Sequence, residues 1–205
     1  MLKLLVAQTL RAFIRLLTGA RVLDEAPSGS RQRIYYGNHS SHGDFVLIWS
    51  ALPPEERQKV RPVAGADYWR KGVLRRYLIN QVFNGVLIDR NPQNRLDDPI
   101  TTMANAIESD ASLILFPEGT RHRGTGLLPF KSGIYHLATR CPNLELVPVW
   151  LENINRVMPK GRIIPLPLLC TVRFGPPIRL ASNEDKQTFL DRSRAALIAL
   201  SQDTV

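Results

Sequence analysis

The stretch RIYYGNHSSHGDFVLIWSAL, residues 33–52, holds a predicted strand, a polar turn and a predicted helix in succession. RIYYG is rich in β-branched and aromatic residues, and DFVLIWSAL is an apolar run that the pair Pro53-Pro54 ends. His39 and Asp44 lie on opposite faces of a strand or roughly 140° apart on a helix, so only a turn brings them together. The stretch is therefore either a polar loop capping a helix or a reactive pair at the edge of a core.

The alternation of strand and helix continues along the chain. Further predicted strands lie at residues 61–67, 85–90, 111–119 and 145–151, with one or two more in the proline-punctuated segment 163–178. Predicted helices lie at residues 68–82, 97–110, 131–140 and 184–201, the last with Ser182 as its N-cap. The pattern predicts an α/β fold: a layered domain over residues 33–205 with a mainly parallel central sheet flanked by helices. Residues 24–32 are the predicted linker.

Residues 1–23 are predicted to form an amphipathic helix in front of the domain. One face carries Leu2, Leu5, Val6, Leu10, Phe13, Leu16 and Leu17, and the other carries Lys3, Gln8, Arg11, Arg15 and Thr18. Because cations interrupt the apolar stretch, the segment predicts neither a cleaved signal peptide nor a spanning helix of about 18 or more apolar residues. The pattern is typical of a helix in a membrane interface, and equally of one docked on the protein's own core.

The composition limits the number of domains, the kind of partner and the cellular compartment that we expect. The chain has 205 residues, 44% of them hydrophobic, which is enough for the core of one domain. A net charge of +9 favours an anionic partner: a membrane surface, nucleic acid or a phosphorylated small molecule. Cys141 and Cys170 form neither a metal-ligand spacing nor a disulfide framework, which favours the cytoplasmic compartment.

A second candidate site lies in LILFPEGTRHRG, residues 113–124, where an apolar predicted strand ends in a turn. Gly119 lets the backbone approach a ligand, and Arg121 suits bidentate recognition of a phosphate. The predicted strand at residues 85–90 also ends in an arginine, Arg90, so two arginines are expected at the sheet edge that carries His39. Alternatively, each arginine forms a surface ion pair with its neighbouring acid.

Together these segments resemble the four ordered blocks of the glycerolipid acyltransferase family, which includes 1-acylglycerol-3-phosphate acyltransferases. The blocks are His39-x-x-x-x-Asp44, GVLIDR at residues 85–90, FPEGTR at residues 116–121 and the apolar VPV at residues 147–149. FKSG at residues 130–133 is similar to a further family element. The resemblance runs from about residue 35 to residue 151, which is more than half of the chain.

The resemblance implies transfer of a fatty acyl group from acyl-CoA or acyl-carrier protein to a lysophospholipid hydroxyl. The first-choice acceptor is 1-acylglycerol 3-phosphate, and glycerol 3-phosphate is the second. His39 would be the general base and Asp44 would orient it. The acceptor's phosphate and glycerol part would be bound by Arg90, Glu118, Gly119, Thr120 and Arg121. Pro148 would shape the acyl-chain site or simply its strand, and no metal or cofactor is implied.

Two departures from the family pattern affect these expectations. Many relatives carry transmembrane helices before the first block, whereas this chain has only the interrupted N-terminal segment. We therefore expect a peripheral or monotopic protein on the cytoplasmic face of a membrane that contains anionic lipid. The fourth block continues as VPVWLEN without a second proline, which leaves the acceptor open.

Other functions and features remain open at this point. A thioester or lipid hydrolase using the same His-Asp pair and a non-catalytic membrane-binding module are the alternatives. A nucleic-acid binder is disfavoured because no binding motif accompanies the basic residues. The basic segment 68–82 either binds lipid headgroups or donor phosphates or is a solvated face. His42 is interpreted as a turn residue, or as one that supports the site residues from behind, rather than as a catalytic residue. His122 and Arg123 either extend the phosphate site or form a loop tip.

Overall fold

A seven-stranded sheet forms the centre of the computed structural model, which describes residues 6–9, 11–12, 21–27, 29, 31–41, 43–89, 91, 93, 97–121, 126–152 and 170–202. The strands are β1 Arg21–Val22, β2 Arg33–Gly37, β3 Val60–Gly65, β4 Val86–Ile88, β5 Ser112–Leu115, β6 Glu145–Glu152 and β7 Thr171–Phe174. Their order across the sheet is β1-β7-β6-β2-β5-β3-β4, and every neighbouring pair is parallel except β6 with β7. The predicted α/β fold with a mainly parallel sheet is confirmed.

Helices cover both faces of this sheet. They are α1 Asp44–Ala51, α2 Pro54–Lys59, α3 Ala66–Trp69, α4 Val73–Tyr77, α5 Pro99–Glu108, α6 Gly133–Arg140 and α7 Lys186–Gln202, and a π-helical turn, Leu78–Val82, continues α4. Side chains alternate along the strands, so the sheet serves two apolar cores. Ile34 and Tyr36 of β2 belong to the core shared with α5, α6 and α7. Tyr35, between them, belongs to the core shared with α1 and the π-helical turn.

Local chemistry explains three differences from the predicted elements. Residues 68–82, predicted as one helix, are interrupted at Gly72, whose φ of +82° is a left-handed conformation. Helix α2 was not predicted because Pro53-Pro54 was interpreted only as a terminator, although proline suits the first position of a helix. The predicted N-cap Ser182 is wrong: a carboxylate oxygen of Asp185 accepts hydrogen bonds from the backbone N–H groups of Gln187 and Thr188.

The N-terminal segment is described only in part. Residues 6–9 and 11–12 are helical, and Ala7 packs against the core that contains α1. Arg21 and Val22, which the prediction placed in the N-terminal helix, form β1 and pair with Thr171 and Val172 of β7. The rest of the predicted helix lies outside the described residues. Across the described part of the chain, no helix combines the length and the apolarity needed to cross a bilayer.

A buried ion network stabilises the edge of the sheet where β2 and β6 begin. The Arg33 guanidinium, only 3% exposed, donates to the carboxylates of Glu56 at 3.0 Å and Glu145 at 3.1 Å. The Tyr35 hydroxyl donates to the other Glu56 oxygen at 3.0 Å. Burial and the Glu56 charge both raise the pKa of Tyr35, so the phenol stays protonated. The candidate site lies at the opposite edge, where the parallel strands end.

Candidate active site

The turn between β2 and α1 brings His39 and Asp44 together. His39 Nδ1 lies 2.8 Å from Asp44 Oδ2, and Asp44 is fully buried. The same oxygen accepts hydrogen bonds from the backbone N–H of Ser40 at 2.6 Å and of Ser41 at 2.8 Å. An ionised carboxylate can only accept, so Nδ1 carries the proton and donates it. In the neutral ring, Nε2 therefore has a free lone pair.

Asn38 fixes the start of this turn. Its side-chain amide donates to the backbone carbonyl of Leu151 at 2.9 Å, and its side-chain oxygen accepts from the Leu151 N–H at 2.8 Å. These two hydrogen bonds extend the pairing of β2 with β6 by one residue beyond Gly37. The Asn38 side chain makes them because the backbone has begun to turn at this position. The position of His39 is therefore tied to the end of the central strands.

The third block holds His39 from the other side. The Phe116 ring stacks on the imidazole, with ring centroids 4.3 Å apart and planes 12° apart. Glu118, only 3% exposed, accepts hydrogen bonds from the backbone N–H of His39 at 2.8 Å and of Leu128 at 3.0 Å. Each carboxylate oxygen thus already has a backbone partner. Glu118 was predicted to bind the acceptor, and its observed contacts are those of a residue that positions the loops around His39.

A cavity of about 290 Å³ opens beside the His39 ring. Its walls come from the ends of β3, β4 and β5 and from the starts of α5 and α6, as expected for a site where parallel strands end. Most of the described lining is apolar: Val63, Ala64, Ile88, Pro99, Met103, Leu115, Phe116, Pro117 and Ile134, together with Gly65, Gly119, Gly133, His39 and Lys131. Among the described residues of this lining, His39 and Lys131 have ionisable side chains, so an apolar chain and an anionic group both have a complementary surface here.

Gly119 and Lys131 meet at this cavity. Gly119 has φ of +69°, and a Cβ added there would lie 2.7 Å from Lys131 Cε and 2.8 Å from Lys131 Nζ. The Lys131 side chain therefore occupies the space that any larger residue at position 119 would take. The Lys131 backbone N–H donates to the Pro117 carbonyl at 2.9 Å, which fixes the two loops against each other. The glycine of the third block thus makes room for the side chain of Lys131, which lines the same cavity as His39.

The remaining predicted site residues are placed as follows. Thr120 is exposed and Arg121 is half-buried, and neither contributes to the cavity lining although both follow Gly119 directly. Pro148 is buried in β6, pairs with Tyr36 of β2, and is likewise absent from the cavity lining, which favours the interpretation that it shapes its strand. The predicted binding residue Arg90, together with His42, His122 and Arg123, lies outside the described residues.

Three residues that build the site were not predicted. Asn38 and Phe116 stand next to recognised positions, so an amide directly after a strand and an aromatic at a strand end were the available signals. Lys131 lies in FKSG, which was noticed only as a family element. No sequence spacing indicates that its side chain crosses Gly119. Within the described residues, no cluster of three or more His, Cys, Asp and Glu side chains is arranged to hold a metal ion.

Comparison with known proteins places these residues in a family. The sequence model named Acyltransferase matches residues 19–152, about two thirds of the chain, including the turn after β2, the third block and β6. The chain belongs to the acyltransferase family. The predicted resemblance is confirmed at the level of the family, while the roles of individual site residues stay predictions.

Relatives within the family give a more specific comparison. A 1-acyl-sn-glycerol-3-phosphate acyltransferase of Limnanthes douglasii is 34% identical over 155 residues, covering 72% of this chain and 50% of the relative. One of the same name from Haemophilus influenzae is 31% identical over 164 residues, covering 72% of this chain and 62% of the relative. The chain thus spans between half and two thirds of the length of these relatives.

A solved structure supports the fold. The crystal structure of the 1-acyl-sn-glycerophosphate acyltransferase of Thermotoga maritima superposes with a TM-score of 0.73 at 19% sequence identity. The superposition covers 99% of this chain and 83% of that chain. At this identity the likeness concerns the fold alone, and it extends beyond the segment that the family model matches.

Proposed function

We propose that the protein transfers a fatty acyl group from an acyl thioester to a free hydroxyl of a lysophospholipid. The acceptor is 1-acylglycerol 3-phosphate, which becomes phosphatidic acid, and the donor is acyl-CoA or acyl-carrier protein. The observation that carries the proposal is the hydrogen bond between His39 Nδ1 and Asp44 Oδ2 beside an apolar cavity. The names of the relatives favour this acceptor over glycerol 3-phosphate.

A general-base mechanism follows from the protonation of this pair. Asp44 holds the proton on Nδ1, so Nε2 accepts the proton of the acceptor hydroxyl as the oxygen attacks the thioester carbonyl. The positive charge that forms on the ring is stabilised by the buried Asp44 carboxylate. The tetrahedral intermediate then expels the thiolate, which takes the proton back from Nε2, so His39 returns to its starting state. Proton transfer of this kind contributes about 10²–10⁴-fold to a rate.

The cavity lining supports one apolar and one anionic substrate group. Its apolar walls suit a fatty acyl chain, and the Lys131 ammonium beside Gly119 suits the acceptor phosphate. Arg121, two residues after Gly119, is proposed to contact the same phosphate. The net charge of +9 supports a membrane with anionic lipid as the place where the substrates are met, at its cytoplasmic face and with the protein bound peripherally.

Release of free thiol from a medium-chain acyl-CoA tests the proposal. Purified protein on lipid vesicles is assayed with 1-acylglycerol 3-phosphate, with glycerol 3-phosphate and without acceptor. We expect release that depends on 1-acylglycerol 3-phosphate and is lost in His39→Ala. His136→Ala, at an exposed position of α6, is the matched control and keeps wild-type activity. An active His39→Ala enzyme contradicts the mechanism, and release without acceptor identifies a hydrolase instead. If acyl-CoA is inert, the assay is repeated with acyl-carrier protein.

A further inference from the structure

An exposed apolar pair stands where the basic segment is interrupted. Helix α3 ends at Trp69, and α4 begins at Val73 after Gly72, whose positive φ turns the chain. Val73 is 76% exposed and Leu74 is 69% exposed, the highest values among the large hydrophobic residues that the structure describes. These two adjacent apolar side chains form a small apolar surface that the described residues leave uncovered.

Four cations flank this pair in the sequence. Arg70, Lys71, Arg75 and Arg76 are all exposed, and the segment from α3 through α4 has one acidic residue, Asp67. None of the four cations has a carboxylate within ion-pair distance among the described residues, and the Arg75 guanidinium instead lies over the Tyr68 ring at 4.3 Å. The apolar pair is therefore flanked along the chain by exposed cations that can contact anions outside the protein.

The segment is anchored to the candidate active site. Ala64 and Gly65 at the end of β3 line the cavity, and α3 follows them without an intervening loop. The Trp69 ring packs edge-on against Phe45, the residue after Asp44, with centroids 5.5 Å apart. The exposed pair thus projects from the framework that holds the proposed catalytic residues.

We propose that residues 68–76, which we call the docking segment, bind an anionic lipid bilayer by inserting Val73 and Leu74 among the acyl chains. The cations would lie at the level of the lipid phosphates, as in interfacial segments that combine a small apolar surface with a basic rim. A protein partner fits less well, because two side chains supply far less surface than the roughly 1,000 Å² of a specific protein interface. The inference rests on the peripheral membrane binding proposed above, and it is tested by lipid binding without turnover, so it can fail while acyl transfer is still observed.

Vesicle sedimentation tests the proposal on the full chain. Wild type is compared with the double variant Val73→Ser/Leu74→Ser on phosphatidylcholine vesicles with and without phosphatidylglycerol. The matched control is Val22→Ser/Leu23→Ser, a second exposed apolar pair at 38% and 47% exposure. We expect the docking-segment variant to lose about tenfold in partitioning onto anionic vesicles, and the control to stay within about twofold of wild type. Equal binding by wild type and the docking-segment variant, or equal losses in both variants, overturns the proposal.

Two further measurements separate charge from insertion. The variant Arg70→Gln/Lys71→Gln is expected to lose about fivefold in partitioning for each cation removed, and only on anionic vesicles. Leu74→Cys carries an environment-sensitive fluorophore in a Cys141→Ser background, because Cys170 is buried and burial with the Asp44 charge raises its pKa to about 11. A blue shift on anionic vesicles supports insertion, and an unchanged spectrum on protein-bound vesicles contradicts it.

Discussion

Glu118 holds His39 by its backbone and not by its ring: Glu118 Oε1 accepts the His39 N–H at 2.8 Å, and Oε2 accepts the Leu128 N–H at 3.0 Å. Both carboxylate oxygens thus accept hydrogen bonds from backbone donors, and the negative charge of a carboxylate repels a phosphate. We therefore assign Glu118 a positioning role. The acidic residue of the third block therefore joins the loop before α6 to the turn that carries the proposed base.

Glu118→Gln tests this assignment. Glutamine retains one acceptor oxygen, so its NH₂ group would face a buried backbone N–H at a cost of about 1–3 kcal/mol in the free energy of unfolding. We expect a lower Tm and a fall in kcat of about tenfold because His39 is displaced. Glu108→Gln, at a side chain that is 59% exposed, is the control and changes neither quantity. A higher KM for the acceptor with unchanged kcat and Tm would instead restore the predicted binding role.

Asp44→Asn and Asp44→Ala separate charge from orientation. Asp44 Oδ2 accepts all three hydrogen bonds, while Oδ1 is buried without a partner among the described residues. The asparagine oxygen can take the place of Oδ2 and keep the turn, although the imidazolium loses its counter-charge. We expect the thiol-release rate to fall about 10²–10⁴-fold in both variants, since base catalysis contributes that much. Urea unfolding should show a larger loss of stability for alanine, and full activity of Asp44→Asn would contradict a role for the charge.

Gly119→Ala should displace Lys131. The new methyl group would lie within 2.8 Å of three Lys131 side-chain atoms, so the ammonium must leave the cavity wall. Gly126→Ala is the matched control because it also places alanine at a positive φ, +91°, with nothing within 4 Å of the added carbon. Steady-state kinetics should show a higher KM for 1-acylglycerol 3-phosphate in Gly119→Ala alone. Equal effects in the two variants would reduce the role of Gly119 to backbone conformation.

Arg33→Met should destabilise the protein without changing its kinetics. Removing the guanidinium leaves Glu56 as a buried carboxylate with no ion-pair partner among the described residues, which costs about 3–5 kcal/mol in the free energy of unfolding, whereas Glu145 keeps its pairs with Arg31 and Arg179. Arg31→Met is the control, since Arg31 is 59% exposed and its pair with Glu145 is worth under about 1 kcal/mol. Thermal unfolding measures the difference. A Tm equal to that of wild type would show that the network contributes little.

Cys170 should make the protein sensitive to alkaline pH. Burial, with a contribution from the Asp44 charge, raises the pKa of this thiol from 9.0 to about 11. Below pH 9.0 the thiol is protonated in both the folded and the unfolded protein. Above it the unfolded state loses the proton first, so folding stability falls by about 1.4 kcal/mol per pH unit until about pH 11. Urea unfolding of wild type and Cys170→Ala should show a stability difference that shifts against wild type over this window, and a constant difference contradicts the shift.

The sequence predicted the parts of the fold that depend on local pattern. The alternation of strands and helices, and the turn that joins His39 to Asp44, were readable because strand residues, glycine and capping residues follow one another in residues 33–52. The interruption at Gly72 was not predicted, since the surrounding residues suit a helix and the glycine alone decides the turn. The antiparallel pairing of β7 with β6 was equally invisible, because strand direction depends on the connection and not on the strand itself.

The features of the site that could not be predicted from the sequence are contacts between loops that are distant in the chain. Lys131 reaches His39's cavity only because it crosses Gly119 twelve positions earlier in the chain. The acceptor-binding role of Glu118 stays a prediction from its block, and the backbone partners of its carboxylate could not be predicted because only the folded chain brings them near. The residue types thus indicated the chemistry of the candidate site, whereas the contacts between its individual groups depend on the three-dimensional fold.

One unbroken run of chain, from Ala64 in the cavity wall to Leu74 in the docking segment, has a kinetic consequence. If the exposed end of this run lies among lipid tails, the cavity lies close to the membrane surface. An acceptor that is already in the bilayer then reaches the cavity by lateral diffusion. Diluting the acceptor with inert lipid at constant bulk concentration should then slow turnover. Adding more vesicles of the same composition should leave the rate per bound enzyme unchanged.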